Sequence, residues 1–432
     1  MSTPPTTAAP PLDVAKPPRE VLIDRVGFQG DGVAEEPGHN GKVLVALTLP
    51  GERVLARGGG ERCELVEVLA PSPERVTPPC PYFGRCGGCA LQHWDHAPYL
   101  AWKVEQIALA LSREWIETEF APAFAARPGE RRRVALHARK GTRDAAVLGF
   151  KGRRSWAVVD IDTCVIADPR IVAALPALRR FAAPFLQHPK SAPILHVTVT
   201  ETGLDVDVTG VEAKSGGLSA DARVRVADRA AEGGFARATL DGEMLYQART
   251  PMVRFGRAHV VLPPGGFLQA VARAEDVMAE VAIAAFEGAD RVADLFCGSG
   301  AFTFRLAETA AVLALDSEPA AIAALNGGRG GAPNLKAITA QARDLFRRPL
   351  LSADMKKLDG VLFDPPRAGA PEQAGEIARS KVATVVGVSC NPATFARDAA
   401  ILIGGGFRLE KVTPVDQFLW SPHMELVGVF RR

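Results

Sequence analysis

The chain has 432 residues, of which 47% are hydrophobic and 23% charged, and its net charge is +2. That length calls for two or three domains, and that composition belongs to a folded globular protein and not to a disordered or fibrous one. No apolar run is long enough to span a bilayer, no basic segment leads into an apolar one as in a secretory signal, and the overall charge does not announce a nucleic-acid partner. A cytoplasmic location without membrane attachment is expected, and the seven cysteines then argue for ligands or a nucleophile over disulfides.

Residues 1–20, rich in Pro, Thr and Ala, are expected to be a disordered tail. Residues 21–77 read as a small β-barrel, with strand-length apolar pieces at 21–23, 42–47, 53–56 and 62–69 separated by glycine-rich turns. With its Leu49-Pro50-Gly51-Glu52 turn, the pattern resembles the TRAM module, an OB-like RNA-binding barrel. Few aromatics occur here, so contacts by charge and shape are expected, without base stacking.

Residues 78–264 read as a central α+β domain. It opens on Cys80, Cys86 and Cys89, with Gly84, Gly87 and Gly88 between and beside them, and a fourth cysteine, Cys164, follows far downstream. Four thiolates can hold a [4Fe–4S] cluster or a structural zinc. The wide first gap and the distant fourth cysteine depart from the two close pairs of a common zinc finger. His93 and His96 read as packing or surface residues. A helix is expected over 99–117, strands at 133–139, 145–150, 157–161, 194–200, 203–208 and 260–262, and a second helix over 170–183 with a break at Pro176. Residues 212–236 have helical propensity. Residues 127–154 hold ten Lys and Arg, Arg131, Arg132 and Arg133 among them, against Glu130 and Asp144. Such a patch suits phosphate contacts.

Residues 265–432 carry the pattern of a doubly wound α/β domain. A helix is expected over 270–286, after Phe267-Leu268-Gln269. Val292–Phe296 reads as a buried strand, Gly298 and Gly300 as a turn, and 301–308 as a helix. Missing side chains let a ligand approach the backbone, and a helix N-terminus offers N–H groups. The run 311–316 ends in Asp316, where such folds place the carboxylate that binds a ribose diol. Thr303 stands where a pyrophosphate fingerprint has its last glycine, so a nucleoside ligand without pyrophosphate fits, S-adenosylmethionine first. Two further strands end in Asp364-Pro365-Pro366-Arg367 and Ser389-Cys390-Asn391-Pro392. Gly298, Asp316, Asp364 and Cys390 are expected to converge on one crevice. Cys297 reads as a small buried residue.

These motifs, in this order and with the late His423-Met424-Glu425, resemble the S-adenosylmethionine-dependent RNA 5-methyluridine methyltransferases, in the iron–sulfur branch that includes 23S rRNA uracil-C5 enzymes. The resemblance implies a Rossmann-like class I methyltransferase domain and methyl transfer to carbon 5 of a uridine. It implies Cys390 as nucleophile, Glu425 as general base, and a [4Fe–4S] cluster on Cys80, Cys86, Cys89 and Cys164. By the same resemblance Gln269 contacts cofactor or base, Phe296, Gly298, Gly300 and Ala301 offer main chain to the cofactor, and Asp344 meets the adenine amino group. Asp364 and Arg367 orient the uracil, with Asp364 also at the cofactor, Arg397 and Asp398 support the turn after Cys390, and nearby cations or N–H groups favour the thiolate. Arg131, Arg132 and Arg133 are expected on the RNA. Ribosomal RNA is the expected partner of a monomeric enzyme, with tRNA as the alternative. The chain departs from the family at Val271 and Ala301, where Asn is common, and at Asp316, where Glu is common. An amino-group methyltransferase would follow Pro-Pro with an aromatic residue, and a cytosine-C5 enzyme would place its Cys after Pro. An iron–sulfur RNA-binding protein without catalysis would need neither Cys390 nor Glu425.

Overall fold

The computed structural model describes residues 17–35, 41–58, 60–141, 146–188, 190–213 and 217–432. Most of the expected tail, Gly59, Arg143, Asp144, Ala145 and part of the 212–236 stretch lie outside the described residues. The chain divides into two compact units, one of residues 1–102, 150–159 and 420–422, the other of 103–149, 160–419 and 423–432.

The first unit contains a barrel-like six-stranded sheet. The expected strands occur as Arg19–Leu22, Lys42–Ala46, Arg53–Arg57 and Arg62–Ala70, joined by Arg25–Val26 and Asp31–Glu35. The last two were hidden behind Asp-Gly turn chemistry at Asp31-Gly32. Alternation along the strands turns Val21, Val43, Val45, Val54, Ala56 and Cys63 into one core. Lys42–Ala46 pairs parallel to Arg62–Ala70 while the other pairs run antiparallel.

A seven-stranded sheet follows in the order 158–160, 146–151, 133–140, 194–200, 203–209, 237–240 and 243–247. Helices Pro169–Ala182 and Ala220–Glu232 pack with it. The expected break at Pro176 does not occur. Proline removes one helical hydrogen bond, and burial of Ile171, Leu175, Leu178 and Phe181 on the opposite face offsets that loss. Strand Arg237–Leu240 lies outside the expected strands and buries a basic residue: the Arg237 guanidinium donates to both oxygens of Asp205 at 2.8 and 2.7 Å.

The sheet that positions the site has seven main strands: β1 (Arg291–Leu295), β2 (Ala311–Asp316), β3 (Ile338–Ala342), β4 (Gly360–Phe363), β5 (Thr384–Ser389), β6 (Arg408–Asp416) and β7 (Glu425–Arg431). Their spatial order is β3-β2-β1-β4-β5-β7-β6, and short strands Glu119–Phe120 and Phe124–Ala125 pair with the outer edge of β6. β1 to β5 are parallel and β7 is antiparallel between β5 and β6. Helix Ala272–Ala285 packs Ala274, Met278, Ala279 and Ala282 into the core of this sheet. This is the class I methyltransferase fold expected from the sequence. The helix expected over 301–308 shrinks to one turn, Thr303–Leu306. Gly298 and Gly300 both take positive φ, 53° and 100°, and keep the preceding segment in turns. Among the described residues no helix is long and apolar enough to cross a membrane.

Candidate active site

Antiparallel β7 decides the geometry. Its register sets Leu426 opposite Ser389, so the first residue of β7, Glu425, comes beside Cys390 just past the end of β5. Parallel β1, β2 and β4 deliver their own carboxyl ends to the same edge. A cavity of about 600 Å³ opens there, lined by Gln269, Phe296, Gly298, Asp316, Asp364 and Cys390, with Arg367 and Glu425 also at its wall.

The glycine turn after β1 is shaped for a ligand at one glycine and for packing at the other. A Cβ at Gly298 would meet nothing within 4 Å, so its backbone faces open cavity. A Cβ at Gly300 would lie 2.8 Å from the Phe304 ring and 3.1 Å from Leu325, so that glycine serves the turn's own packing. Phe296 carries φ of 64°, a strained conformation for a residue with a side chain. The Gly298 N–H donates to Asp316 Oδ2 at 2.9 Å and the Glu318 N–H to Oδ1 at 2.8 Å. Asp316 is thereby oriented by backbone on both oxygens. Ala301 lines the cavity. Asp344 does not; its Oδ1 accepts from the N–H groups of Phe346 and Arg347 at 3.0 and 3.2 Å. It shapes the turn that brings Phe346 to the cavity wall, where that ring meets Phe296 at 5.5 Å.

Three acids crowd the reacting end. Burial, with Glu425 and Asp364 nearby, pushes the Cys390 thiol up to about 11, and Arg367 opposes this only in part. The expected cation and backbone hydrogen bond are present but offset only part of this rise, so the thiol is neutral near pH 7. Burial raises Glu425 and Asp364 above the usual carboxylate range, and for Glu425 the charge of Asp364 adds to it. Two carboxyls this close do not ionise independently. Glu425 is 5% exposed, and its Oε2 has no protein partner among the described residues. Asp294, the lone acid within β1, is fully buried; burial lifts it to about 7, and Thr303 Oγ1 donates to it at 2.5 Å.

One residue of this network was not anticipated. Gln417, 2% exposed, donates from Nε2 to Glu425 Oε1 at 3.1 Å and to Gln269 Oε1 at 2.7 Å. Its Oε1 accepts from the Ala270 N–H at 2.8 Å, which fixes the amide's orientation. Gln269 in turn donates to Asp364 at 3.3 Å. Its place in Val415-Asp416-Gln417, just past the end of β6, was the available signal. Gln417 holds Glu425 Oε1 and leaves Oε2 without a partner among the described residues. Replacing Gln417 with Met removes a donor to the charged carboxylate, so the titration of Glu425 is expected to move higher still. The pH–rate midpoint should rise, by roughly one unit, with kcat at neutral pH down about 10-fold; an unchanged midpoint would count against this role.

The three central arginines all have protein partners. Arg132 donates to the Gln269 carbonyl at 2.9 Å and to Glu275 at 2.6 Å, and Arg133 donates to the Leu268 carbonyl at 2.9 Å. Arg131 donates to the Arg133 carbonyl at 3.0 Å and lies over Phe418. The run braces the Phe267–Gln269 segment. Arg397 and Asp398 hold the loop after Arg367, through the Ala368 carbonyl at 2.9 Å and the Ala370 N–H at 2.7 Å. Asn391 and Thr394, next to Cys390, donate to the Arg367 carbonyl at 3.1 and 3.2 Å.

Cys80, Cys86 and Cys89 lie in the first unit and Cys164 in the second, all half-buried. The Gly88 N–H donates to Cys86 Sγ at 3.4 Å. Among the described residues no group of three or more His, Cys, Asp and Glu is gathered as a metal-ion site. Cys297 is 4% exposed, as expected of a packing residue.

Residues 257–432 match the sequence profile of a family described as tRNA (Uracil-5-)-methyltransferase. Over 416 residues the chain is 62% identical to an uncharacterised RNA methyltransferase of Caulobacter vibrioides, covering 96% of this chain and 100% of that protein. It is 34% identical to the 23S rRNA (uracil(1939)-C(5))-methyltransferase of Chromohalobacter salexigens, covering 95% of this chain and 88% of the relative. In fold it is similar to a tRNA (uracil-54, C5)-methyltransferase of Pyrococcus abyssi solved with S-adenosyl-L-homocysteine, with a TM-score of 0.72, 22% identity, and coverage of 95% and 100%.

Proposed function

Because the chain belongs to the RNA uracil-5-methyltransferase family, whose members depend on S-adenosylmethionine, we propose that it methylates carbon 5 of a uridine in 23S ribosomal RNA through a covalent bond from Cys390. The observation that carries the mechanism is the placement of Cys390 and Glu425 side by side across β5 and β7, in the cavity that Asp316, Gly298 and Phe296 also line.

The residues fit the methyl donor: Asp316, oriented on both oxygens, suits a ribose diol, and Phe296, Gly298 and Ala301 offer main chain. When bound, S-adenosylmethionine supplies a methyl group on a positively charged sulfur, the electrophile that carbon 5 attacks. Uracil carbon 5 is too weak a nucleophile alone. Cys390 gives its proton to Asp364, with Glu425 left as the carboxylate, and Sγ adds to carbon 6. The electrons of the carbon 5–carbon 6 double bond become an enolate, which Arg367 and Asp364 orient. Carbon 5, now nucleophilic, takes the methyl group. Glu425 then removes the carbon 5 proton, the double bond re-forms, and Cys390 Sγ leaves as thiolate and regains a proton. A base cannot be reached inside a stack, so the target is flipped or unpaired.

The ribosomal target rests on the relative from Chromohalobacter salexigens. With labelled methyl donor, incorporation into a 23S rRNA transcript and not into tRNA transcripts is the expected result; methylation of tRNA alone would overturn the target.

We assign residues 21–77 as an RNA-binding barrel, 78–264 as the central domain and 265–432 as the catalytic domain. We also propose that Cys80, Cys86, Cys89 and Cys164 hold a [4Fe–4S] cluster with a structural role. The all-thiolate donor set and the Gly88 N–H on Cys86 Sγ suit one. Iron and acid-labile sulfide should be found in anaerobically prepared protein; zinc in their place would overturn the cluster.

A further inference from the structure

Within the first unit, Arg62, Arg153 and Arg154 all donate to the carboxylate of Asp31, which is 2% exposed. Burial works against charging Asp31, yet the three arginines outweigh it and hold the acid below its ordinary range. Three guanidinium groups on one carboxylate leave two positive charges uncompensated. The Arg62 and Arg154 side chains remain 34% and 39% exposed.

The turn that carries Arg153 and Arg154 also presents Trp156, which is 74% exposed. Lys151 Nζ lies 4.0 Å from the Trp156 ring centroid. A tryptophan so exposed contributes little to any core, and its apolar face is left to water at a cost. The turn is nonetheless fixed. The Gly87 N–H donates to the Lys151 carbonyl at 2.9 Å, the Arg153 N–H to the Arg85 carbonyl at 3.3 Å, and the Gly152 N–H to the Ala157 carbonyl at 2.8 Å. The segment between Cys86 and Cys89 therefore braces this turn through Gly87. An aromatic face beside surplus guanidinium charge on a fixed turn is the combination that takes single-stranded nucleic acid: rings stack on bases and cations track phosphates.

We propose that Trp156 is a stacking platform for an unpaired base of the RNA substrate, with Arg62 and Arg154 on the adjoining phosphates. This rests on RNA being the substrate. The site lies outside the methyl-transfer cavity and sets how tightly RNA is held, not the chemistry.

The test uses the full chain, a fluorescein-labelled single-stranded oligouridine, and S-adenosylhomocysteine as a second ligand. Trp156→Ala is expected to weaken oligouridine binding by roughly 10-fold, and Trp156→Phe to restore most of it, with S-adenosylhomocysteine affinity unchanged in both. Arg154→Gln is expected to reduce the slope of log affinity against log salt by about one. Wild-type oligouridine affinity in Trp156→Ala would overturn the platform while leaving the enzyme's RNA substrate standing. Failure of the wild type to bind any RNA, with S-adenosylhomocysteine still bound, would overturn both.

Discussion

Cys390→Ala is expected to lower methyl transfer by roughly 10⁴-fold or more, and to abolish a covalent protein–RNA complex that the wild type forms on RNA carrying 5-fluorouridine. Fluorine cannot be removed from carbon 5 as a proton, so wild-type enzyme stalls after methylation with Cys390 Sγ still on carbon 6, and a denaturing gel resolves the product. Binding of S-adenosylhomocysteine should survive, because Cys390 contributes no backbone or carboxylate to that part of the cavity. A second consequence concerns pH. Burial and the nearby acids push the thiol up to about 11, so addition needs a neighbouring carboxylate to take its proton, and that carboxylate must be ionised. Burial raises both Glu425 and Asp364, so the fraction ionised grows as pH climbs through the neutral range. The wild-type rate should therefore rise with pH over that range and level off above the pair's titration. An adduct that persists in Cys390→Ala would sink the assignment of the nucleophile.

Glu425→Gln is expected to separate the two halves of the reaction. Addition of Cys390 and methylation of carbon 5 do not require Glu425 to receive the carbon 5 proton, whereas release of the product does. Turnover should fall by roughly 10³-fold or more, while a covalent, methylated complex accumulates on ordinary uridine RNA without fluorine. Glutamine keeps the shape and can still meet Gln417, so the loss reports the missing base more than a hole in the core. Removing one of two mutually repelling carboxyls also lowers the titration of Asp364. Any residual rate should then lose its neutral-range pH dependence. Rapid turnover with no adduct would show that another group is the base, and Asp364 would be the first to examine.

The basic run was plain in the sequence, but which members of it face outward was not. Arg131, Arg132 and Arg133 carry the same charge as Arg154, yet they spend it on the carbonyls of Arg133, Leu268 and Gln269 and on Glu275. Charge is local to a residue; the partners of Arg132, Arg133 and Arg154 are brought by the fold from more than a hundred positions away.

What the sequence by itself determined was the set of strand-end motifs. Asp316, Asp364 and Cys390 each follow a short apolar run, and a parallel sheet must bury such runs and send their carboxyl ends to one edge. That local pattern was enough to place them in one crevice. Only the tertiary structure decided that Glu425 enters antiparallel between β5 and β6 and so meets Cys390, that Gln417 takes one of its oxygens, and that the thiol rests neutral. Register between strands far apart in sequence, and the burial that shifts a proton's affinity, are properties of the packed whole, because both depend on what stands on the other side of each residue.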